Sequence, residues 1–310
     1  MTAQELENLG VCGTGSALGF NTENGCADII KAAYAIWLIS PSVTIAADQE
    51  VDLTYIKSLQ KAGQLVVIKG VNTFEENGSD DAFETLDDDT KILTNKGKYN
   101  FMATFTHGMY FQRALGSIEG FGNWRTAYVD NAGKVVLTKL ENGSYRGFRT
   151  GQITPKKLTM PSNSASLKQG LEFQLLDRFE MDDNPVVWDK GNLGFDPRLV
   201  EPITQVYLSL TAVPANADTE LSVKATFDRG RKDAFSGALF GQFNNKINGA
   251  DSNPTAGDDS ATAGTYVLTV PALATGQNGA IKLYDVANNT DVVEVDGELY
   301  KSNTETYSVS

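Results

Sequence analysis

The chain has 310 residues, 41% of them hydrophobic, enough to bury the core of one large or two smaller domains, which excludes disorder as its general state. Its formal net charge is −13, and the carboxylate excess runs through both halves with no basic tail, which excludes tight wrapping around nucleic acid. Two cysteines cannot supply a disulfide framework for a chain of this length, and no Cys-x-x-Cys spacing points to zinc or redox chemistry.

Residues 1–25 are rich in Gly and Asn and read as an extended arm. Gly13-Thr14-Gly15-Ser16-Ala17-Leu18-Gly19 has the look of a nucleotide-binding glycine pattern, but no strand of useful length precedes it. Cys12 and Cys26 read as free thiols, with a single bridge between them as the alternative. The start, Met1 to Glu7, is acidic and lacks the basic region of a secretory signal, and the longest apolar run, residues 32–39, is too short to cross a bilayer. The expectation is a soluble protein made in a cytoplasm.

Residues 28–38 place Ile29, Ala33, Ile36 and Trp37 at helical spacing, which predicts a short amphipathic helix ending before Pro41. A strand fragment at 43–45 and a second helix at 53–61, stopped by Gly63, come next. A β-branched strand is expected at 64–71. Residues 73–96 differ in kind: acidic, short of aliphatic residues, and placed between two strong strands. Their carboxylates do not follow the spacing of a calcium loop, so a solvated charge run is the plain reading.

Residues 96–148 form the expected β core. An aromatic run, Tyr99-Asn100-Phe101-Met102-Ala103-Thr104-Phe105, precedes a helical piece at 109–115. A hairpin follows, with arms at 124–130 and 134–138 around Asn131-Ala132-Gly133. Strands are expected at 145–148, 151–159 and 170–179, the last with Leu171, Phe173 and Leu175 alternating. Residues 181–202 are polar and turn-rich and read as the end of a first domain and a linker. From 201 onward short strands recur, at 205–210, 220–227, 265–270, 280–285, 291–295 and 298–300, with turn signals at Asn288-Asn289 and Asp296-Gly297 and a loop at 248–264. Such spacing predicts an antiparallel sandwich of immunoglobulin type over 201–310.

Chemistry is hard to find. The single histidine, His107, sits beside no recognisable nucleophile and reads as a hydrogen-bonded turn residue. Glu172, Asp177, Glu180 and Asp182 could supply a carboxylate pair for glycoside hydrolysis, and Trp37, Trp124 and Trp188 leave carbohydrate contact open, although large aromatics serve the core more often. No catalytic, cofactor-binding or metal-binding residue is assigned, and no cofactor is expected.

The central stretch resembles the tail tube proteins of tailed bacteriophages. The residues that carry the resemblance are the aromatic strand at 99–105, the helical piece Tyr110-Phe111-Gln112-Arg113-Ala114-Leu115, the turn Val129-Asp130-Asn131-Ala132-Gly133 and the Gly147-Phe148 strand. The C-terminal part resembles immunoglobulin-like modules appended to phage tail and capsid proteins. The resemblance implies a mainly β chain with a few short helices, a β-sandwich or barrel tube domain over 1–200 and an immunoglobulin-like β-sandwich over 201–310. It implies a virion structural subunit, a homo-oligomer in hexameric rings stacked as a tail tube that conducts DNA without specific binding. It implies other virion proteins as partners, and weak glycan contact by the immunoglobulin-like domain. The acidic segment 73–96 lies where that family carries a loop reaching the next ring, so the inter-subunit contacts expected are Phe74, Glu76, Asp81, Phe83, Leu86, Tyr99, Phe101 and Phe105. Head decoration, a head–tail connector, a glycan-binding adhesin and a carbohydrate-active enzyme are the competing readings.

Overall fold

The computed structural model describes residues 1–10, 30–164, 166–227, 233–259 and 262–310, and within them the chain is mainly β with short helices. Cys12, Cys26 and the glycine pattern at 13–19 lie outside the described residues. The chain divides into two compact units, residues 1–59 with 63–200, and residues 60–62 with 201–310.

The first unit runs α1 (Ala3–Gly10), β1 (Ala33–Ile39), α2 (Leu53–Lys61), β2 (Leu65–Lys69), β3 (Val71–Glu76), β4 (Ala82–Thr85), β5 (Lys91–Asn95) and β6 (Asn100–Phe105). It continues α3 (Met109–Gly116), β7 (Gly120–Phe121), β8 (Arg125–Asp130), β9 (Lys134–Lys139), β10 (Tyr145–Arg146) and β11 (Phe148–Pro155). Last come β12 (Gln169–Leu175), α4 (Phe179–Asp182), β13 (Pro185–Asp189) and α5 (Lys190–Leu193).

Pairing runs β2–β1–β8–β11–β12–β6–β3. Because only Gly70 separates β2 from β3, the first and last members of this series are one bent strand, and the sheet wraps into a barrel. Gly70 makes the bend with φ +76, a conformation that favours glycine, and a Cβ there would sit 2.8 Å from Nε2 of His107. That Nε2 lies 3.1 Å from the Lys69 carbonyl oxygen. Gln169 holds the histidine backbone from both sides, accepting from its N–H at 3.0 Å and donating to its carbonyl at 2.9 Å. The lone histidine is a post at the barrel's corner.

The sheet also forks. The start of β8 pairs with β11 (Thr126 with Phe148), while its end pairs with β9 (Tyr128 with Val136). Beyond β9 lie β10 and β13. The hairpin turn between β8 and β9 is set by buried Asp130, whose Oδ1 accepts from the N–H groups of Ala132 and Lys134 at 2.9 and 2.8 Å, with Gly133 at φ +87.

Two cores result. Inside the barrel, Ile36, Leu38, Tyr128 and Phe148 meet Phe101, Phe105, Leu171 and Phe173. On the other face of β1 and β8, Ala35, Trp37, Ile39 and Val129 pack with Leu6 of α1, Ile56 and Leu59 of α2, and Trp188.

This arrangement corrects three expectations. Residues 3–10, expected as part of an extended arm, form helix α1, because Ala3 and Leu6 on one helical face are buried in the outer core. Residues 33–39 form a strand, not part of a helix over 28–38, because β1 is buried on both faces. An unbroken apolar run then satisfies the helical spacing by accident. Residues 181–202 are not a linker: β13 pairs with β9 over five positions, and Val186, Trp188, Leu193 and Val200 are core. Their turn-rich flanks hide a short alternation with its apolar side inward.

The second unit runs β14 (Thr204–Leu210), β15 (Glu220–Phe227), β16 (Phe243–Ile247), β17 (Ala250–Asp251), β18 (Ala256–Asp259), β19 (Thr265–Thr269), β20 (Asn278–Leu283), β21 (Val292–Val295), β22 (Glu298–Ser302) and β23 (Glu305–Ser308). One sheet is ordered β18-β19-β15-β14-β22-β21 and the other β17-β16-β20-β23. Without the β21–β22 hairpin the first sheet takes the D-E-B-A order, and the second, with short β17 added at the edge beside C, takes the C-F-G order of an immunoglobulin-like sandwich. The extra hairpin lies between the strands equivalent to F and G, and β22 runs parallel to β14. Val206, Leu221, Tyr266, Phe243 and Ile281 fill the space between the sheets. The stretch 248–264, expected as a loop, contains β17 and β18, the latter paired with β19.

Candidate interaction surface

The acidic segment folds as a hairpin. Among the described residues β4 and β5 pair only with each other, with Phe83 opposite Leu93, Glu84 opposite Ile92 and Thr85 opposite Lys91. Every residue of both strands is exposed, and among them are Phe83 (58%), Ile92 (48%) and Leu93 (40%), with Leu86 (43%) at the turn. A two-stranded sheet without a packed face is marginal in water. This one presents apolar side chains and open strand edges to solvent, which are templates for pairing with another chain.

Its base is tied down closely. Leaving β3, the chain turns at Glu76, whose Oε1 accepts from the N–H groups of Gly78 at 2.7 Å and Asn100 at 3.3 Å. The two arms then cross so tightly that a Cβ on Gly97 would sit 1.9 Å from the Ser79 carbonyl oxygen, and one on Gly78 2.0 Å from that of Lys98. Asp81 Oδ1 accepts from Gly97 N at 2.8 Å and from Arg178 Nη1. Arg178 reaches Asp182 through Nε at 2.5 Å, and Tyr99 donates its hydroxyl to the same carboxylate at 2.5 Å. Lys96 lies 4.5 Å over the ring of Phe179.

These contacts set the electrostatics. The Gly97 N–H and the Arg178 guanidinium hold the Asp81 carboxyl below its ordinary range. At Asp182, burial works upward but is outweighed by the hydrogen bonds from Tyr99 and Arg178, and its carboxyl too is lowered. The Tyr99 phenol is raised, first by its bond to Asp182 and then by burial.

The eight residues expected at a contact fall into four pairs. Phe83 and Leu86 stand on the exposed hairpin, and Glu76 and Asp81 anchor it. Phe74 and Tyr99, both half-buried, stack on Phe101 at 5.1 and 5.9 Å between ring centroids, extending the barrel core to the hairpin base. Phe101 is only 8% exposed and Phe105 is fully buried, about 13 Å further along β6, so both are core residues that do not reach this surface. Sequence reasoning missed Ile92 and Leu93, although Lys91-Ile92-Leu93-Thr94 carries the strand signal within the acidic run. It also missed Arg178, which lies 97 residues from Asp81.

The four carboxylates considered for hydrolysis are all engaged. Glu172 pairs with Lys156 and accepts from Asn100 at 2.8 Å, and these bonds lower its carboxyl. Asp177 and Glu180 bind Arg149, and Arg146 donates to Glu180 at 2.7 Å. Asp182 belongs to the hairpin clasp. Among the described residues no group of three or more His, Cys, Asp or Glu is placed to hold a metal ion, and no helix is long and apolar enough to cross a membrane. Compared with family models and with curated proteins, the chain matches none.

Proposed function

We propose that this protein is a structural subunit that assembles with copies of itself. The particular reading is a phage tail tube protein. Its first unit joins neighbouring copies into rings, the rings stack into a tube that conducts DNA, and the immunoglobulin-like unit is an appended module. It works in the virion with other virion proteins and without a cofactor. The observation that carries this reading is the β4–β5 hairpin, an anchored arm whose Phe83, Leu86, Ile92 and Leu93 are exposed and belong to no core cluster among the described residues. The strongly acidic balance suits a wall along which DNA passes without sticking.

Negative-stain microscopy and light scattering of the purified protein test it. Rings or tubes are expected for the natural sequence, and monomers when residues 80–96 are replaced by a short Gly-Ser connection. A monodisperse monomer at millimolar concentration would overturn the proposal.

A further inference from the structure

A second exposed feature lies where the sheet forks. Phe121 of β7 is 67% exposed, and Leu176, just past β12, is 44% exposed. Both side chains lie over Gly151, whose Cβ would sit 3.2 Å from Leu176 Cδ2 and 3.6 Å from Phe121 Cε2. Beside this apolar pair stand Arg149, bonded through its carbonyl to Leu176 N at 2.9 Å, and Arg125, its direct cross-strand partner. Like charges opposed across a ladder repel.

Glu180 from α4 relieves part of that repulsion. It accepts from Arg149 Nε at 2.6 Å, Arg149 N at 2.7 Å and Arg146 Nη2 at 2.7 Å. Asp177 takes the remaining arm of Arg149. Three guanidinium groups therefore meet two carboxylates. Among the described residues Arg125 is left with only the Val43 carbonyl at 3.2 Å, and the buried Nε of Arg146 has no hydrogen-bond partner. Burial and the neighbouring Arg146 push the Arg125 guanidinium down, the mark of a cation short of counter-charge.

The hairpin is the matching shape. It carries an apolar cross-strand pair, Phe83 and Leu93, and at its turn an acidic end formed by Asp87, Asp88 and Asp89, while Glu84 pairs with Ile92 on the other face. We infer that the patch of Phe121, Leu176, Arg125 and Arg149 receives the β4–β5 hairpin of a second copy of this chain. Phe83 and Leu93 cover the apolar pair, and the acidic end supplies the arginines with their missing charge. This rests on the self-assembly reading and adds to it the receiving surface. The two surfaces differ, so the contact is head-to-tail, and such contacts propagate along a filament or close into a ring.

Replacing Phe83 with p-benzoylphenylalanine and irradiating the assembled protein tests the contact without altering the receiving surface. Cross-linked dimers are expected in which the second copy's peptide contains residues 119–125 or 174–178. Asp87→Lys with Asp88→Lys is expected to raise the concentration needed for assembly at least tenfold, and Arg125→Glu added to that pair is expected to restore it. Phe121→Asp should do the same damage with an unchanged circular dichroism spectrum. Assembly with cross-links mapping elsewhere, or charge reversal without effect on it, would overturn the docking site and leave self-assembly standing. No assembly of the natural sequence at any concentration would overturn both.

Discussion

Gly70 and His107 show how single residues define this fold. A backbone at φ +76 is costly for any residue with a Cβ, and here the imidazole fills the space a Cβ would need. Gly70→Ala should destabilise the first unit by about 1–3 kcal/mol in a urea titration. His107→Ala combined with it should recover only the steric part, because the strained dihedral remains. The clasp at the hairpin base makes a different prediction. Asp81 and Asp182 are lower in the folded chain than their unfolded value of about 3.9. Their contribution is therefore intact above that value and is lost as pH falls through the lower folded ones. Amide exchange at residues 82–95 should accelerate below about pH 4 beyond the intrinsic rate, and Arg178→Met should abolish the extra acceleration.

Among the elements, β13 and the β4–β5 hairpin are opposites. Strand β13 sits in a polar, turn-rich stretch of sequence and yet is core. Trp188→Ala should cost about 3–5 kcal/mol, measured by denaturant unfolding of the first unit. The hairpin pairs in register from Phe83 to Thr85, with a shift at Ala82, but among the described residues its strands pair with no other strand. Phe83→Ser with Leu93→Ser should leave the unfolding midpoint within about 0.5 kcal/mol of the natural protein while abolishing assembly in sedimentation. What could be read from the residues follows from the same contrast. Strands with one wet face announced themselves: Leu171, Phe173 and Leu175 alternate and are buried. Asp296-Gly297 signalled a two-residue turn, and both residues have positive φ between β21 and β22. β1 was misread because a strand dry on both sides loses its alternation. The Arg178 clasp and the arginines at the fork were invisible because their partners are brought together by topology.

On the scale of the whole chain, the second unit has a sandwich core of its own, with Val206, Phe243, Tyr266 and Ile281 each no more than 2% exposed. Residues 201–310 produced alone should unfold in one cooperative transition by circular dichroism, and a gradual loss of signal would contradict its independence. The first unit has no such modularity within it. Leu6 of α1 shares a core with Trp188, Leu193 and Val200, and the barrel closes only when β12 reaches β6 and β11. A ribosome making this chain must release nearly two hundred residues before that core can form. The clasp at the hairpin base, which waits for Arg178, and the fork, which waits for β11, therefore mature late in translation, so that on the self-assembly proposal a nascent chain offers neither surface in finished form.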